Sequence, residues 1–553
     1  MRAALMLEQA GVSPLLARLW AARGISEPSA ANLNLSNLLH FESMKGAEAA
    51  ACLLADHILS KRRILIVADY DCDGATACAV GLRTLRQLGA NVDYLVPNRL
   101  ETGYGLSPEV VRLAECKQPD LLITVDNGIS SVEGIALANQ LGMVTVVTDH
   151  HLPGDELPDA KVIVNPNQPG CRFPSKAIAG VGVMFYLMLA TRAELRRRQF
   201  FANRPEPNLA QLLDLVALGT VADVVPLDHN NRIFVSQGLA RMRQQHMQSG
   251  IAALFAIAGR NPATASTFDL GFAIGPRINA AGRLADMSLG IEALTSDDAG
   301  RAHNIAMQLD AINRERRSIE AEMQEAALIQ LEDIDAQDRA SLSLFNPDWH
   351  QGVIGILAGR VKEAHHRPTF VFARGTGGEL KASGRSIPGL HLRDALDLLA
   401  KRRPHLIRRF GGHAAAAGLS IAEADLEEFS EEFEVVARSL LTPEQLQRTV
   451  MTDGSLETGY RSLQTARQLQ GEIWGQGFPA PLFFDSFEVE SQKLLKEKHL
   501  KLSLLHQGAR YDAIQFNSAL PAAGKVNAAY RLDVNEWNGV ENLQLLIEHL
   551  EPG

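Results

Sequence analysis

The stretch RRILIVADYDCDGATACAVGLRTLRQLGA, residues 62–90, decides the fold. Ile64 to Val67 is a short unbroken apolar run, the signature of a strand buried on both faces. It ends in a polar turn that carries Asp69, Asp71 and Asp73, and GATACAVGLRTLRQLGA reads as the helix that follows. The same grammar repeats downstream. VDYLVPNR is a second strand and PEVVRLAECK a helix; LLITVDNG is a third strand and SVEGIALANQLG a helix. MVTVVTDHH makes a fourth strand and KVIVNP a fifth. Short apolar runs alternating with helices of about 10–15 residues predict βαβ units and a parallel sheet.

The flanks differ in character. Residues 1–60 read as helical, with Leu15, Leu16, Leu19 and Trp20 at helical spacing. From 176 to 260 the pattern is again mostly helical and contains LLDLVALGTVADVVPL. Residues 290–333 form one long charged helical pattern, which suits a rigid connector between lobes or an ordinary solvated surface helix. Strand and helix alternate again from 340, which predicts a second α/β domain. After 435, short strands and turns suggest a small barrel or sandwich.

Composition bounds the class. A chain of 553 residues predicts three to four domains at about 150 residues each. With 46% hydrophobic and 21% charged residues, wholesale disorder is excluded. The balance of 54 basic against 64 acidic residues, net −10, argues against a generally basic nucleic-acid coat protein. It leaves room for a local basic groove. Five cysteines without CxxC spacing argue against a disulfide framework or structural zinc and fit a reducing cytoplasm. Glu8 interrupts any signal-like run, and the apolar stretch from Ala177 to Ala190 is too short to cross a bilayer, so no membrane association is expected.

The acids and imidazoles fall at strand ends. Asp69, Asp71 and Asp73 follow the first strand, Asp126 the third, and Asp149, His150 and His151 the fourth. Ligands of open parallel sheets bind beyond the carboxyl ends of the strands. Asp223, in VADVVPL, adds a fourth carboxylate-bearing segment in an apolar setting. Converging carboxylates repel one another unless cations neutralise them. With imidazole in the set, Mn²⁺ is a good candidate and Mg²⁺ another. Two such ions would activate water and stabilise the leaving oxygen of a phosphoester. Singly, DxDxDG also fits a calcium loop, DNG a plain turn and a His pair a surface feature; in this order after apolar strands they point to a metal site. Cys72 sits between acids that disfavour its thiolate. No P-loop, GxGxxG or GxSxG motif accompanies the set.

A second constellation lies downstream. LKASGRS holds Ser383, Arg385 and Ser386, RRFGGHAAAAG holds His413, and GPRINAAGR holds Arg277, Asn279 and Arg283. Hydroxyl, guanidinium and imidazole around glycines make a phosphate pocket. KRRPHLIRRF and LRRRQFFANR could track a nucleic-acid backbone or be solvated faces. PNRLETGYG places Arg99 and Tyr104 in a loop on the sheet's active edge, fit to grip phosphate and stack on a base.

DYDCDG, DNG, VTDHH and VADVVPL, in that order, resemble the four motifs of the DHH phosphoesterase superfamily, and SGRS with GGHAAAAG is similar to its DHHA1 domain. The resemblance covers nearly the whole chain and favours the superfamily's single-stranded-DNA exonuclease branch, which ends in an OB-fold. It implies Asp71, Asp73, Asp126, His150 and Asp223 as metal ligands, with Asp69 ligating or adjacent. His151 would contact metal or the scissile phosphate, and Asp149 would orient the histidines. Ser383, Arg385 and Arg283 or Arg277 would hold the 5′-phosphate, with Asn279 and His413 nearby. Arg99 and Tyr104 would grip the strand near the cut.

The fold expected is α/β: a helical segment (1–55), a parallel-sheet DHH catalytic domain (56–290), a connecting helix (291–335), an α/β DHHA1 domain (336–435) and a C-terminal OB-like β-barrel (445–553). The function expected is 5′→3′ exonuclease action on single-stranded DNA. The lobes would close around a groove that admits one strand, with two Mn²⁺ or Mg²⁺ ions and release of 5′-mononucleotides, in recombination and repair. Tyr511, Phe516, Tyr530 or Trp537 would stack bases on the barrel. A single-stranded-DNA-binding protein and a RecQ-type helicase are the protein partners implied, and the enzyme would be a monomer. The alternatives are a phosphodiesterase for short oligonucleotides or cyclic dinucleotides and a non-catalytic replication scaffold.

Overall fold

The computed structural model describes residues 2–98, 105–332, 338–375, 378–518, 521–522 and 524–553. Arg99 and Tyr104 lie outside the described residues, as does the side chain of Trp537. The chain divides into two compact units.

The first unit comprises Met1–Asn279, Met287–Met307 and Met451–Gly553. Its parallel sheet is built from β1 (Arg63–Ala68), β2 (Asn91–Leu95), β3 (Leu121–Val125), β4 (Val144–Thr148) and β5 (Val162–Val164), in the order β2-β1-β3-β4-β5. All pairs are parallel. Ile64 to Ala68 are buried, as their composition requires. On one face Leu65, Val67, Leu122 and Val147 pack with Val110, Val111, Ile135 and Ala138 of the helices Pro108–Glu115 and Val132–Gln140. On the other face lie the helices Cys72–Gln87 and Gly180–Arg197. Gly81 brings them together: a Cβ there would stand 2.9 Å from Ile66 and 3.3 Å from Met184.

The register is what builds the site. Ala68 is level with Val125, Val125 with Thr148, and Thr148 with Val164. The next residues, Asp69, Asp126, Asp149 and Asn165, therefore form one row along the carboxyl edge. The ladder continues through them: the N–H groups of Asp69, Asp126 and Asp149 donate to Val125, Thr148 and Val164 at 3.2, 3.1 and 3.2 Å.

The same unit contains a closed barrel of β11 (Phe483–Leu495), β12 (His499–His506), β13 (Ala509–Gln515), β14 (Lys525–Trp537) and β15 (Val540–Pro552), in the order β11-β12-β13-β15-β14. Arg461 is anchored in its core by the Tyr530 hydroxyl at 2.9 Å and Asp485 at 2.7 Å. Two of the stacking positions expected from sequence are thereby corrected. Tyr530 and Tyr511 are buried, because closing a small barrel needs their bulk inside. Phe516 is 52% exposed. The N-terminal helices pack on this region: Arg23 forks onto Asp453 at 2.8 and 2.9 Å.

The second unit comprises Ala280–Asp286 and Gln308–Val450. Its sheet joins β6 (Leu342–Phe345), β7 (Thr369–Arg374), β8 (Glu379–Arg385), β9 (Arg409–Gly412) and β10 (Ala416–Ala422), in the order β6-β7-β8-β10-β9. Only the β6–β7 pair is parallel. Phe370, Phe372, Phe429 and Phe433 fill its core. The long helical pattern of 290–333 resolves into two helices, Ser288–Thr295 and Ala299–Glu332, broken at Ser296, whose backbone is extended. Among the described residues no helix is long and apolar enough to cross a membrane.

Most of the two basic runs is neutralised locally. Arg197 and Arg198 bind Glu194 at 2.7 and 2.6 Å, and Arg196 binds Glu206. Lys401 binds Asp397 at 2.6 Å and Arg403 binds Glu432 at 2.6 Å. These pairs suit the solvated-face reading of both runs; Arg408 and Arg409 of the second run are exposed, and among the described residues no ion pair involves them.

Candidate functional site

The carboxyl edge of the parallel sheet gathers the acids and imidazoles singled out in the sequence. His150 Nε2 stands 3.1 Å from Asp126 Oδ1, 3.4 Å from Asp223 Oδ2 and 4.0 Å from Asp73 Oδ2. His151 Nδ1 lies 4.0 Å from the same Asp126 oxygen. Three overlapping groups each offer donor atoms within 4.8 Å of one another: Asp126 with His150 and His151, Asp73 with His150 and Asp223, and Asp69 with Asp71 and Asp126. Asp126 and His150 each belong to two of them.

Local structure fixes each candidate ligand. Asp71 caps the helix Cys72–Gln87, its Oδ1 accepting from Gly74 N–H at 3.0 Å. Asp73, inside the first turn, receives Gly180 and Val181 N–H at 2.6 and 2.9 Å from the start of the helix Gly180–Arg197, where the dipole favours an anion. Asp126 adopts φ 62°, a left-handed conformation that Asp tolerates and that ends the strand abruptly. Asp223 caps the C-terminus of the helix Leu213–Ala222. Asp149 accepts His150 N–H, His151 N–H and His151 Nδ1–H on one oxygen, at 2.7, 3.1 and 2.7 Å, and Ile129 N–H on the other at 2.9 Å. Its hydrogen-bonding capacity goes into aiming the histidines.

Electrostatics shows what the cluster lacks by itself. Burial, then the Asp71 charge, pushes Asp73 up to about 7. Burial and the surrounding aspartates hold Asp126 and Asp223 well above the usual carboxylate range. Burial would lower His151, but its bond to Asp149 and the aspartate charges hold it up at about 9. Burial likewise raises the Cys72 thiol, so it is no nucleophile. Carboxylates crowded in this way with imidazole, and with no thiolate, are a donor set for hard divalent cations.

Several residues essential to this geometry went unnoticed in the sequence. A Cβ on Gly180 would lie 2.7 Å from Asp126, one on Gly219 2.9 Å from Asp73, and one on Gly74 2.5 Å from the Asp69 carbonyl. Asn165 and Asn167 tie down the His151 and His150 carbonyls at 3.0 and 2.6 Å. The small residues of AIAGVGV and LGTVAD were the available signal. Asn279 turns inward: its Oδ1 accepts Cys72 N–H at 2.7 Å and holds the DYDCDG turn.

In the second unit Arg385 bonds Ser383 Oγ at 3.0 Å. Both face the N-terminal turn of the helix Ile354–His365, where a Cβ on Gly355 would lie 2.9 Å from each. Backbone N–H groups, a hydroxyl and a guanidinium thus meet, the make-up of a phosphate site. Arg283 in this unit donates to the Gly352 carbonyl at 3.1 Å. Arg277, in the first unit, donates to Ala273 at 2.7 Å. His413 sits in the turn joining β9 to β10, its N–H on the Ala416 carbonyl at 2.8 Å.

Comparison with known proteins matches three families: "DHH family, N-terminal domain" over residues 63–220, "DHHA1 domain" over 339–439 and "RecJ OB domain" over 452–549. The single-stranded-DNA-specific exonuclease RecJ of Dickeya dadantii is 50% identical over 552 residues, 97% of this chain and 96% of that protein. The crystal structure of Thermus thermophilus RecJ with Mn²⁺ is similar at a TM-score of 0.83 and 29% identity, covering 99% of this chain and 77% of that one. The same protein with Mg²⁺ gives 0.78 and 28%, covering 99% and 76%.

Proposed function

The chain belongs to the RecJ family of single-stranded-DNA-specific exonucleases, and from that premise we propose that its carboxylate–imidazole cluster hydrolyses single-stranded DNA from the 5′ end and releases 5′-mononucleotides. The observation that carries the reading is the sharing of Asp126 and His150 between overlapping ligand groups, which suits two neighbouring divalent cations, Mn²⁺ or Mg²⁺. Asp69, Asp71, Asp73, Asp126, His150 and Asp223 would hold them. Such ions, when bound, make water nucleophilic near neutral pH and offset charge on the leaving oxygen.

The chain's own groups do the positioning. The N–H groups of Gly180 and Val181 keep the Asp73 carboxylate in one orientation. Asp149 commits His151 Nδ1, so that Nε2 is the nitrogen presented to the scissile phosphate. Ser383, Arg385 and the N–H groups beside Gly355 would take a terminal phosphate, which would set 5′→3′ polarity. Arg283, Arg277 and His413 would assist, and Arg99 and Tyr104 would hold the strand. The reading extends to recombination and repair by a monomer in the cytoplasm, where all five cysteines stay reduced. A helicase would supply the strand and a single-stranded-DNA-binding protein would present it.

The test uses 5′-labelled single-stranded DNA with Mn²⁺ or Mg²⁺, beside duplex, 3′-labelled DNA and RNA, with Asp126→Ala as control. Release of 5′-mononucleotides from the single strand alone, abolished in the variant, is expected. Turnover of dinucleotides without degradation of long strands would replace this reading with the short-substrate phosphodiesterase.

A further inference from the structure

Phe268 and Phe272 are 55% and 73% exposed, and their rings stack on each other at 4.9 Å with an interplanar angle of 25°. Two stacked phenyl rings left in water are costly unless something covers them. They project from a single π-helical turn, Asp269–Ile274, whose opposite side buries Leu270, Ala273 and Ile274. Such turns are rare and recur at functional sites.

The place of this turn in the fold gives the pair its meaning. A Cβ on Gly271 would lie 3.5 Å from Val221, and one on Gly275 would lie 3.2 Å from the Ala222 Cβ. The turn therefore packs on the two residues that precede Asp223. Directly after Asp223, Val224 is 63% exposed at φ 59°, a strained conformation for a β-branched residue. Arg260, paired with Asp269 at 3.4 Å, lies 5.5 Å from the Phe268 ring centre.

We propose that Phe268 and Phe272 form a stacking platform for a nucleobase of the strand cut at the adjacent cluster. The inference rests on the single-strand nuclease reading and deepens it by naming residues that bind the base. A phenyl face accepts any base, so the platform adds affinity without sequence preference.

The test compares wild type with Phe272→Ala, Phe272→Leu and Phe272→Trp. Since Phe272 is exposed, all three are expected to melt like wild type, and circular dichroism checks this. KM for single-stranded DNA with Mn²⁺ rises about tenfold in the Ala and Leu variants and returns in the Trp variant, the worth of one base–aromatic stack. On strands made abasic at successive positions from the 5′ end, the difference disappears at one register. In EDTA, 2-aminopurine at that register is quenched by wild type and not by Phe272→Ala. Unchanged KM and quenching in Phe272→Ala, or full rescue by leucine, overturns the platform. A wild type that quenches the probe but cuts no DNA would overturn the nuclease reading and leave the platform standing.

Discussion

Asp149 and His151 form a fixed pair: one carboxylate oxygen receives the ring Nδ1–H at 2.7 Å and the backbone N–H of the same residue at 3.1 Å. Asp149→Asn keeps the size and loses the charge. Activity is expected to fall about 10–100-fold, the usual effect of removing an outer partner of a site histidine. The His151 pKa, held at about 9, falls toward the ordinary histidine value. Steady-state kinetics and an NMR titration of the metal-free protein check both.

Metal affinity should rise with pH. In the metal-free protein Asp73 keeps a proton up to about 7, and burial with the neighbouring aspartates holds Asp126 and Asp223 well above the usual carboxylate range. A cation must displace such protons, so binding releases them and weakens as pH falls. Below about 7 the proton on Asp73 adds to this competition. Calorimetry with Mn²⁺ in buffers of different ionisation enthalpy counts the protons; an affinity flat across this range contradicts the assignment.

Asp126→Ala separates function from stability. Activity should fall by more than the about 100-fold that outer partners cost. Yet metal-free Asp126→Asn, which keeps a residue type that tolerates φ 62°, should melt higher than metal-free wild type, because burial and the neighbouring aspartates disfavour the Asp126 charge. The rise in melting temperature on adding Mn²⁺ should shrink in Asp126→Asn and in Asp126→Ala.

The buried Arg461–Asp485 pair, at 2.7 Å, should hold the barrel together. Arg461→Ala leaves a buried carboxylate unpaired and is expected to cost about 3–5 kcal/mol. Burial raises the Asp485 pKa, but its bonds to Ser455, Tyr530 and Arg461 bring it below the usual value. Its stabilisation is therefore present above the unfolded value and is lost as pH falls through the lower folded one. Urea titrations of wild type and Asp485→Asn should converge on acidification through that window.

Arg23 and Asp453, joined by two hydrogen bonds, tie the N-terminal helices to the segment that leads into the barrel. Each alanine variant should destabilise by about 3 kcal/mol or somewhat more, since each strands a largely buried partner. The double variant should lose less than the sum. A melting-temperature cycle measures the coupling.

Much of this is legible in the sequence. Apolar runs such as Ile64–Val67 and Leu121–Val125 mark buried parallel strands, because a strand covered on both faces has no polar side to show. The acids that follow them mark the ligand edge by the general rule for open sheets. The barrel was legible only as strand-rich sequence, and its inward side chains were not. Tyr511 and Tyr530 read as available aromatics but are buried by closure. The basic runs read either as a nucleic-acid track or as solvated faces, and partners such as Glu194 and Glu432 absorb most of their charge.

By itself the sequence determined the parallel sheet, the chemical nature of the candidate ligands and the strand ends that deliver them, because these depend on local periodicity and residue type. The tertiary structure alone decided which atoms meet. Register levels Asp69, Asp126, Asp149 and Asn165 in one row. Glycines 74, 180 and 219 leave the space that lets distant segments close on the carboxylates. Packing also leaves Phe268 and Phe272 in solvent beside the segment that carries Asp223. Approach distances and burial depend on segments tens to hundreds of residues apart, and no local pattern encodes them.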